Sequence, residues 1–375
     1  MAGIYIHIPF CRQKCYYCDF YKTVNTSLLG KYLQALQTEL LQRKNYIEGE
    51  IIETIYFGGG TPSVLSGDEI NEIIRFISHN FQVVNFPEIT LEANPDDLTT
   101  DYLQEIYRAG VRRLSIGIQS FDDELLKKMN RRHNAAQAVE AIEKAAETGF
   151  NDISIDLIYG LPGLDNKQWK NGLLKVFKLP VTHLSAYHLT YHEGTPFYTW
   201  LKKGTLKQLT ETESIRQFET LVKLARENGF EHYEISNFAR NGLYSKHNTS
   251  YWTGKKYLGV GPSAHSFNGE SRRWNVAHTE KYIKAVLHNE IYAEEEILTD
   301  ANRYNEYVLT RIRTMWGVSV AEIEHHFGIE KSLYFQQNME KYVHSGLAIR
   351  TGETFALTQK GWFVSDEISA SLMFV

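Results

Sequence analysis

The sequence predicts an α/β protein: a full or partial (β/α) barrel followed by an α-helical, winged-helix-like module. Three observations carry this. Short runs rich in Ile, Val and Leu alternate with amphipathic stretches, as in a parallel sheet wrapped by helices. The alternation stops near Asn237. After Thr299 the pattern turns helical and ends in a hairpin.

In chain order, the strand candidates are Ile4–Ile8, Thr54–Phe57, Glu88–Ala93, Arg113–Ile116, Asp152–Asp156, His183–His188 and Glu231–Ile235. Most are flanked by Gly, Pro or Asn, which suits buried parallel strands. Between them, Leu28–Leu41 places Leu29, Leu33, Leu36 and Leu40 at helical spacing. Ser66 with Glu69 reads as a capping box, and Thr99 and Thr100 open a helix that Gly110 closes. Ala135–Thr148 and Gln208–Asn228 are further helices, each followed by glycine. Six or seven such units fit a full or partial barrel, whose chemistry sits on the loops after the strands. The predicted division is therefore a barrel core over 1–236, an irregular connection over 237–298 and a C-terminal domain over 299–375. In the last, Asp300–Trp316, Val320–Phe327 and Glu330–Ser345 read as helices. Leu347–Thr351 and Phe355–Thr358 read as a hairpin turned at Gly352-Glu353.

Composition narrows the function. The chain has 375 residues, 43% hydrophobic and 23% charged, which excludes a disordered or low-complexity protein. A formal charge of −5 argues against a general nucleic-acid or membrane-surface binder. Residues 299–375 carry seven Lys/Arg and nine Asp/Glu, so the winged-helix-like module is expected to act as a lid or docking element, with no nucleic acid. The opening residues lack a basic segment, and no apolar run nears the ~18 residues of a membrane span.

All three cysteines lie within eight residues, as Cys11, Cys15 and Cys18. A disulfide framework would spread an even number along a secreted chain, so the cluster suits a reducing, cytoplasmic setting and one metal site. Three thiolates in C-x3-C-x2-C can hold three irons of a [4Fe–4S] cluster, leaving the fourth open to another ligand. A zinc site completed by His7 or Asp19, a redox Cys15–Cys18 pair, or idle cysteines remain open on spacing alone.

Other residues have readings of their own. Gly58-Gly59-Gly60 after a strand suits close backbone approach to a ligand, or a plain turn. Glu92 ends an apolar strand, where a carboxylate needs a partner. Gln119 and Asp156 place polar groups at strand ends. Tyr5 and Tyr17 flank the cysteine loop and by default are core. Arg131 suits a bidentate carboxylate contact or a surface role, and His133 is expected to be structural.

The stretch Gly3-Ile4-Tyr5-Ile6-His7-Ile8-Pro9-Phe10-Cys11 through Cys15-Tyr16-Tyr17-Cys18-Asp19-Phe20 resembles the radical SAM superfamily. More narrowly, it resembles the branch that holds oxygen-independent coproporphyrinogen III oxidase and the HemW heme chaperones. Gly58–Pro62, Glu92-Ala93-Asn94-Pro95, Ser115–Ser120, Asn130–His133, Asp156–Pro162 and His247-Asn248-Thr249-Ser250-Tyr251-Trp252 continue the resemblance in order. It implies that Cys11, Cys15 and Cys18 hold a [4Fe–4S] cluster whose open iron binds S-adenosylmethionine, which an electron cleaves to methionine and a 5′-deoxyadenosyl radical. It implies cofactor contacts for Tyr5, Tyr17 (mainly through its main chain), Gly59, Gly60, Thr61, Glu92, Gln119, Arg131 and Asp156. No residue is singled out as catalytic, since the cofactor carries the chemistry.

Three features favour the chaperone over the oxidase. Phe20 stands where the oxidase has a further cysteine, only four residues precede Tyr5 where the oxidase has an extension, and the H-N-x-x-Y-W run matches the chaperones. The resemblance thus implies a protein that binds heme and passes it to client hemoproteins. His247 is the expected axial ligand, with Tyr251 and Trp252 as aromatic walls; His265 and the His325-His326 pair are the alternatives. It further implies an electron donor such as flavodoxin or ferredoxin and membrane contact only through clients. The sequence leaves a homodimer open. The alternatives are the oxidase itself or a radical SAM methyltransferase.

Overall fold

A computed structural model describes residues 1–374. Twelve strands form one sheet. In chain order they are β1 (Ala2–Ile8), β2 (Ile52–Gly59), β3 (Val83–Ala93), β4 (Arg113–Gln119), β5 (Asp152–Tyr159), β6 (His183–His188), β7 (Phe230–Glu234), β8 (Asn237–Arg240), β9 (Tyr257–Val260), β10 (His265–Phe267), β11 (Ser271–Asn275) and β12 (Ala293–Ile297). Their spatial order is β12-β11-β10-β9-β1-β2-β3-β4-β5-β6-β8-β7. The central run from β9 through β1 to β6 is parallel. The two outermost strands are not paired with each other, so the barrel is partial.

The parallel strands form as predicted because their apolar residues have helices to pack against. Ile4, Ile6, Ile8, Ile55, Phe57, Leu91, Leu114, Ile116, Ile153 and Ile155 are all buried in one continuous core with Leu36, Ile73, Ile106 and Ile142 from the helices. The helix ends obey local chemistry. Ser66 and Glu69 form the capping box, Thr99 caps Thr100–Ala109, and Gly110 ends that helix at φ 108°. Helix Ala135–Thr148 has the predicted bounds and is capped by Asn134 and Gln137. The predicted Gln208–Asn228 helix begins later, at Glu211, because Thr210 with Glu213 forms its capping box.

Three expectations need correction. The seventh strand candidate is not parallel: β7 pairs antiparallel with β8, which pairs antiparallel with β6. Residues 237–298 are not irregular, for they supply β8 to β12 and the helices Lys246–Trp252 and Thr279–Leu287. Their strands are short and polar, and β9 is seated only by its long-range parallel pairing with β1, a non-local contact that a period-based reading cannot see. Asp156 does not close its strand, because β5 runs on to Tyr159.

The C-terminal residues build a second apolar cluster around Tyr304, Val308, Ile323, Phe335, Met339 and Phe355. The first helix there stops at Arg311, short of Trp316. Helices Val320–Phe327 and Ile329–His344 follow as read. The hairpin is β14 (Ala348–Thr351) with β15 (Thr354–Leu357), joined by a third strand, β13 (Val318–Ser319). Two short helices, Gln359–Trp362 and Ser365–Ser371, were not foreseen. Among the described residues no helix is long and apolar enough to cross a membrane.

Candidate functional site

The loop after β1 carries the three cysteines at the C-terminal end of the parallel strands. Its shape is fixed from both sides. The Cys11 amide donates to Thr23 O at 2.9 Å, and Thr23 returns a bond to Pro9 O at 2.7 Å. From across the barrel, Asn130 accepts at its carbonyl from Gln13 Nε2 and donates its amide to Lys14 O, both at 2.8 Å. Lys22 Nζ donates to Cys18 O at 2.8 Å. Burial raises the Cys11 and Cys18 thiols, the Thr61 hydroxyl opposing it at Cys11 and the Lys22 ammonium at Cys18.

These sulfurs face a cavity of about 400 Å³. It gathers most of the residues singled out from the sequence: Cys11, Cys15, Cys18, Tyr17, Gly59, Gly60, Thr61, Glu92, Gln119, Arg131 and Asp156. The glycine loop after β2 is wedged tight. A Cβ on Gly58 would meet the Tyr5 and Tyr56 rings at 2.9 Å, and one on Gly60 would meet the Ile8 and Phe10 carbonyl oxygens at 2.8 Å. Gly59 has φ 108°, and a Cβ there would strike the His7 ring at 2.7 Å. Thr61 follows and donates its hydroxyl to Cys11 Sγ at 3.3 Å.

Polar groups cover the opposite wall. Arg131 donates through Nη1 to Cys15 Sγ at 3.3 Å and through Nη2 to Asn94 Oδ1 at 2.7 Å and Gly117 O at 2.5 Å. Its Nε is buried without a partner. Gln119 ends β4 at φ 70°, where the register with β5 slips by one residue. Such a bulge turns a side chain toward a site, and positive φ at a non-glycine is strain concentrated there. Gly117 leaves room for it, since a Cβ would lie 2.9 Å from Gln119 Nε2.

Glu92 accepts the Tyr56 hydroxyl at 2.8 Å and the Gly59 amide at 3.1 Å. Its carboxyl is pushed up to about 7, first by burial and then by the Asp156 charge. Burial likewise lifts Asp156 to about 6, against the Arg113 charge and the hydrogen bond from Ser115. A carboxyl raised in the folded state binds its proton more tightly there than when unfolded. Its stabilisation is therefore complete below the ordinary carboxylate range, and it is lost as pH rises through about 7. Glu92→Gln cannot ionise, so it is expected to lose less melting temperature than the wild type between pH 5 and 8. Parallel melting curves for the two would refute this assignment.

The donor set fits an iron–sulfur cluster with an adjoining ligand. Three thiols open on one cavity, Gly59 and Gly60 line it at positions where a Cβ would strike the His7 ring and the Ile8 and Phe10 carbonyls, and a buried guanidinium nitrogen has no protein partner.

Two predicted contacts lie elsewhere. Tyr5 does not reach this cavity. It stacks on Tyr56, with ring centroids 6.0 Å apart, and lines a second, larger cavity. His247 lines neither cavity. Its Nδ1 bonds Thr54 Oγ1 at 2.7 Å and its Nε2 bonds Tyr251 Oη at 2.8 Å. The ring is 1% exposed, and burial lowers its pKa to about 3. Both nitrogens being engaged inside the protein, His247 is a brace between β2 and the helix Lys246–Trp252, and the expectation of it as axial ligand is corrected. His133, as expected, is structural and bonds Ile118 O at 3.1 Å.

Sequence reading missed several lining residues, among them Gln13, Lys22, Asn94, Ser115, Tyr187 and His192. Asn94 and Ser115 sit inside quoted motifs. Tyr187 lies at the end of β6, where barrel chemistry is expected, and that position was the available signal.

The Radical SAM superfamily model matches residues 5–174, and the HemN C-terminal domain model matches 298–364. The heme chaperone HemW of Bacillus subtilis (strain 168) is 32% identical over 376 residues, covering 100% of this chain and 99% of that protein. The heme chaperone HemW of Lactococcus lactis subsp. lactis (strain IL1403) is 32% identical, covering 97% and 95%. The chain belongs to the HemW family of radical SAM proteins. Its fold is that of coproporphyrinogen III oxidase (HemN) from Escherichia coli, with a TM-score of 0.85 at 23% identity over 99% of this chain and 90% of that one. Radical SAM membership implies a [4Fe–4S] cluster and S-adenosylmethionine. In this HemW-family chain the cysteine loop and the cavity beside it are where such groups fit.

Proposed function

We propose that this protein is a heme chaperone that binds a [4Fe–4S] cluster, S-adenosylmethionine and heme and delivers heme to client hemoproteins in a reducing, cytoplasmic setting. Cys11, Cys15 and Cys18 hold the cluster. When bound, the cluster and S-adenosylmethionine supply one-electron chemistry. The chain would position them: Thr61 and Arg131 donate to the Cys11 and Cys15 sulfurs, and Glu92 and Asp156 present carboxyls to a cationic ligand.

The observation that carries this reading is Phe20. It stands where the related oxidase has a further cysteine, it is 67% exposed, and it lines both the cysteine cavity and the larger one. An apolar ring between two cavities suits a flat, apolar ligand and supplies no thiol. The electron donor is proposed to be a flavodoxin or ferredoxin.

The test is anaerobic reconstitution followed by hemin addition and then an apo-hemoprotein. Uptake and transfer of heme without decarboxylation of coproporphyrinogen III is expected. Turnover of coproporphyrinogen III would instead make the protein the oxidase.

A further inference from the structure

A second cavity, of about 850 Å³, lies between the β9–β10 side of the sheet and the C-terminal module. It is within the ~300–1,000 Å³ of pockets that enclose cofactor-sized ligands. Resting on the heme-binding reading above, we propose that this cavity is the heme pocket, that His265 is the axial ligand, and that Arg272, Arg303 and Arg311 receive the propionates.

Shape and chemistry agree. Tyr251, Trp252, Tyr257, Phe267 and Phe327 give the cavity broad aromatic walls, which suit a planar macrocycle. Lys255 and three arginines line it, each paired with a carboxylate: Arg272 with Glu306, Arg311 with Glu322, Lys255 with Glu53 and Arg303 with Asp300, so propionates would take these cations by exchange with protein carboxylates. The Nε atoms of Arg272, Arg303 and Arg311 are all buried without a hydrogen-bond partner, as is Trp252 Nε1. Buried donors of this kind call for an acceptor, and guanidinium–carboxylate pairs are the strong form of that bond.

Among the cavity's histidines, His265 is best placed. It stands on β10, is exposed toward the cavity, and makes no hydrogen bond through either ring nitrogen, while burial and the Arg272 charge favour its neutral, ligating form. Its strand is held rigidly, since Gly259 of β9 admits the His265 carbonyl where a Cβ would sit 1.9 Å away. His7 also lines the cavity, but its Nδ1 bonds Tyr5 at 3.3 Å and its Nε2 bonds Tyr21 O at 3.1 Å. His326 lies on the last turn of the helix Val320–Phe327, a less rigid seat.

The test is hemin titration of the full-length, anaerobically reconstituted protein, read by the Soret band. The wild type is expected to give an imidazole-ligated spectrum. His265→Gly should lose that band and weaken hemin binding at least tenfold, and added imidazole should restore the band. His326→Ala should keep it. As an arm independent of the ligand, Thr310→Trp fills the cavity from the helix Asp300–Arg311 and should weaken hemin binding while iron content stays unchanged. Wild-type affinity and spectrum in both His265→Gly and Thr310→Trp would overturn the proposal. Loss of the band in His326→Ala alone would overturn the ligand assignment. No hemin uptake by the wild type would instead overturn the chaperone reading itself, a result distinct from the other two.

Discussion

Cys15→Ala is expected to remove nearly all cluster iron and its visible absorbance after anaerobic reconstitution, with loss of S-adenosylmethionine binding. Three thiolates anchor three corners of the cluster, and removing one leaves a corner to solvent. Cys15 is also the sulfur that faces the Arg131 guanidinium at 3.3 Å, so its loss strips that buried cation of one of its partners. Hemin uptake should survive, because the cysteines do not line the larger cavity. Iron analysis and hemin titration on one preparation decide both points. Full iron retention in the variant would refute the ligand role of Cys15.

Arg113→Met is expected to give the largest loss of stability. Arg113 starts β4, is 2% exposed, and lies 3.5 Å from Asp152. Burial acts to lower its pKa, but the charges of Asp152 and Glu88 outweigh burial and hold it raised. Removing the cation leaves both carboxylates inside the barrel wall. Breaking a buried pair in this way costs ~3–5 kcal/mol, and the partial exposure of Asp152 places the effect near the low end, about 3 kcal/mol. Glu88 also accepts the amides of Lys246 and His247 at 2.9 Å, so the helix that carries the His247 brace should loosen as well. Denaturant unfolding of the two proteins measures the difference. A shift below ~1 kcal/mol, the scale of a surface pair, would show that the interior tolerates the charges without Arg113.

The cysteine cavity was legible in advance because each of its residues sits at a fixed offset from a strand end. Gly59 ends β2 with Gly60 and Thr61 next, Glu92 is one residue from the end of β3, Gln119 closes β4, and Arg131 follows Asn130, which holds the cysteine loop. Strand ends on one side of a parallel sheet converge, so local order along the chain becomes proximity in space.

Tyr5 and His247 fall outside that cavity for the opposite reason. Tyr5 lies three strand positions before Ile8, deep in the barrel, and its ring turns toward Tyr56 and His247. His247 was chosen for its chemistry, but Thr54 from β2 and Tyr251 one helical turn on occupy both nitrogens. His265 was one alternative among fourteen histidines, with no motif to raise it above the others, and only the cavity around it does so.

By itself, the sequence determined the parallel strands, most helices and the cysteine trio, because these depend on periodicity, caps and spacing within short stretches, and its ordered motifs carried the resemblance to the family, which implies the cluster and S-adenosylmethionine. Only the tertiary structure decided that 237–298 extends the sheet past β1, that the barrel stays open, and which histidine faces a cavity with free nitrogens. Those outcomes rest on pairings such as β1 with β9, more than two hundred residues apart, and on which way each side chain turns once those pairings form.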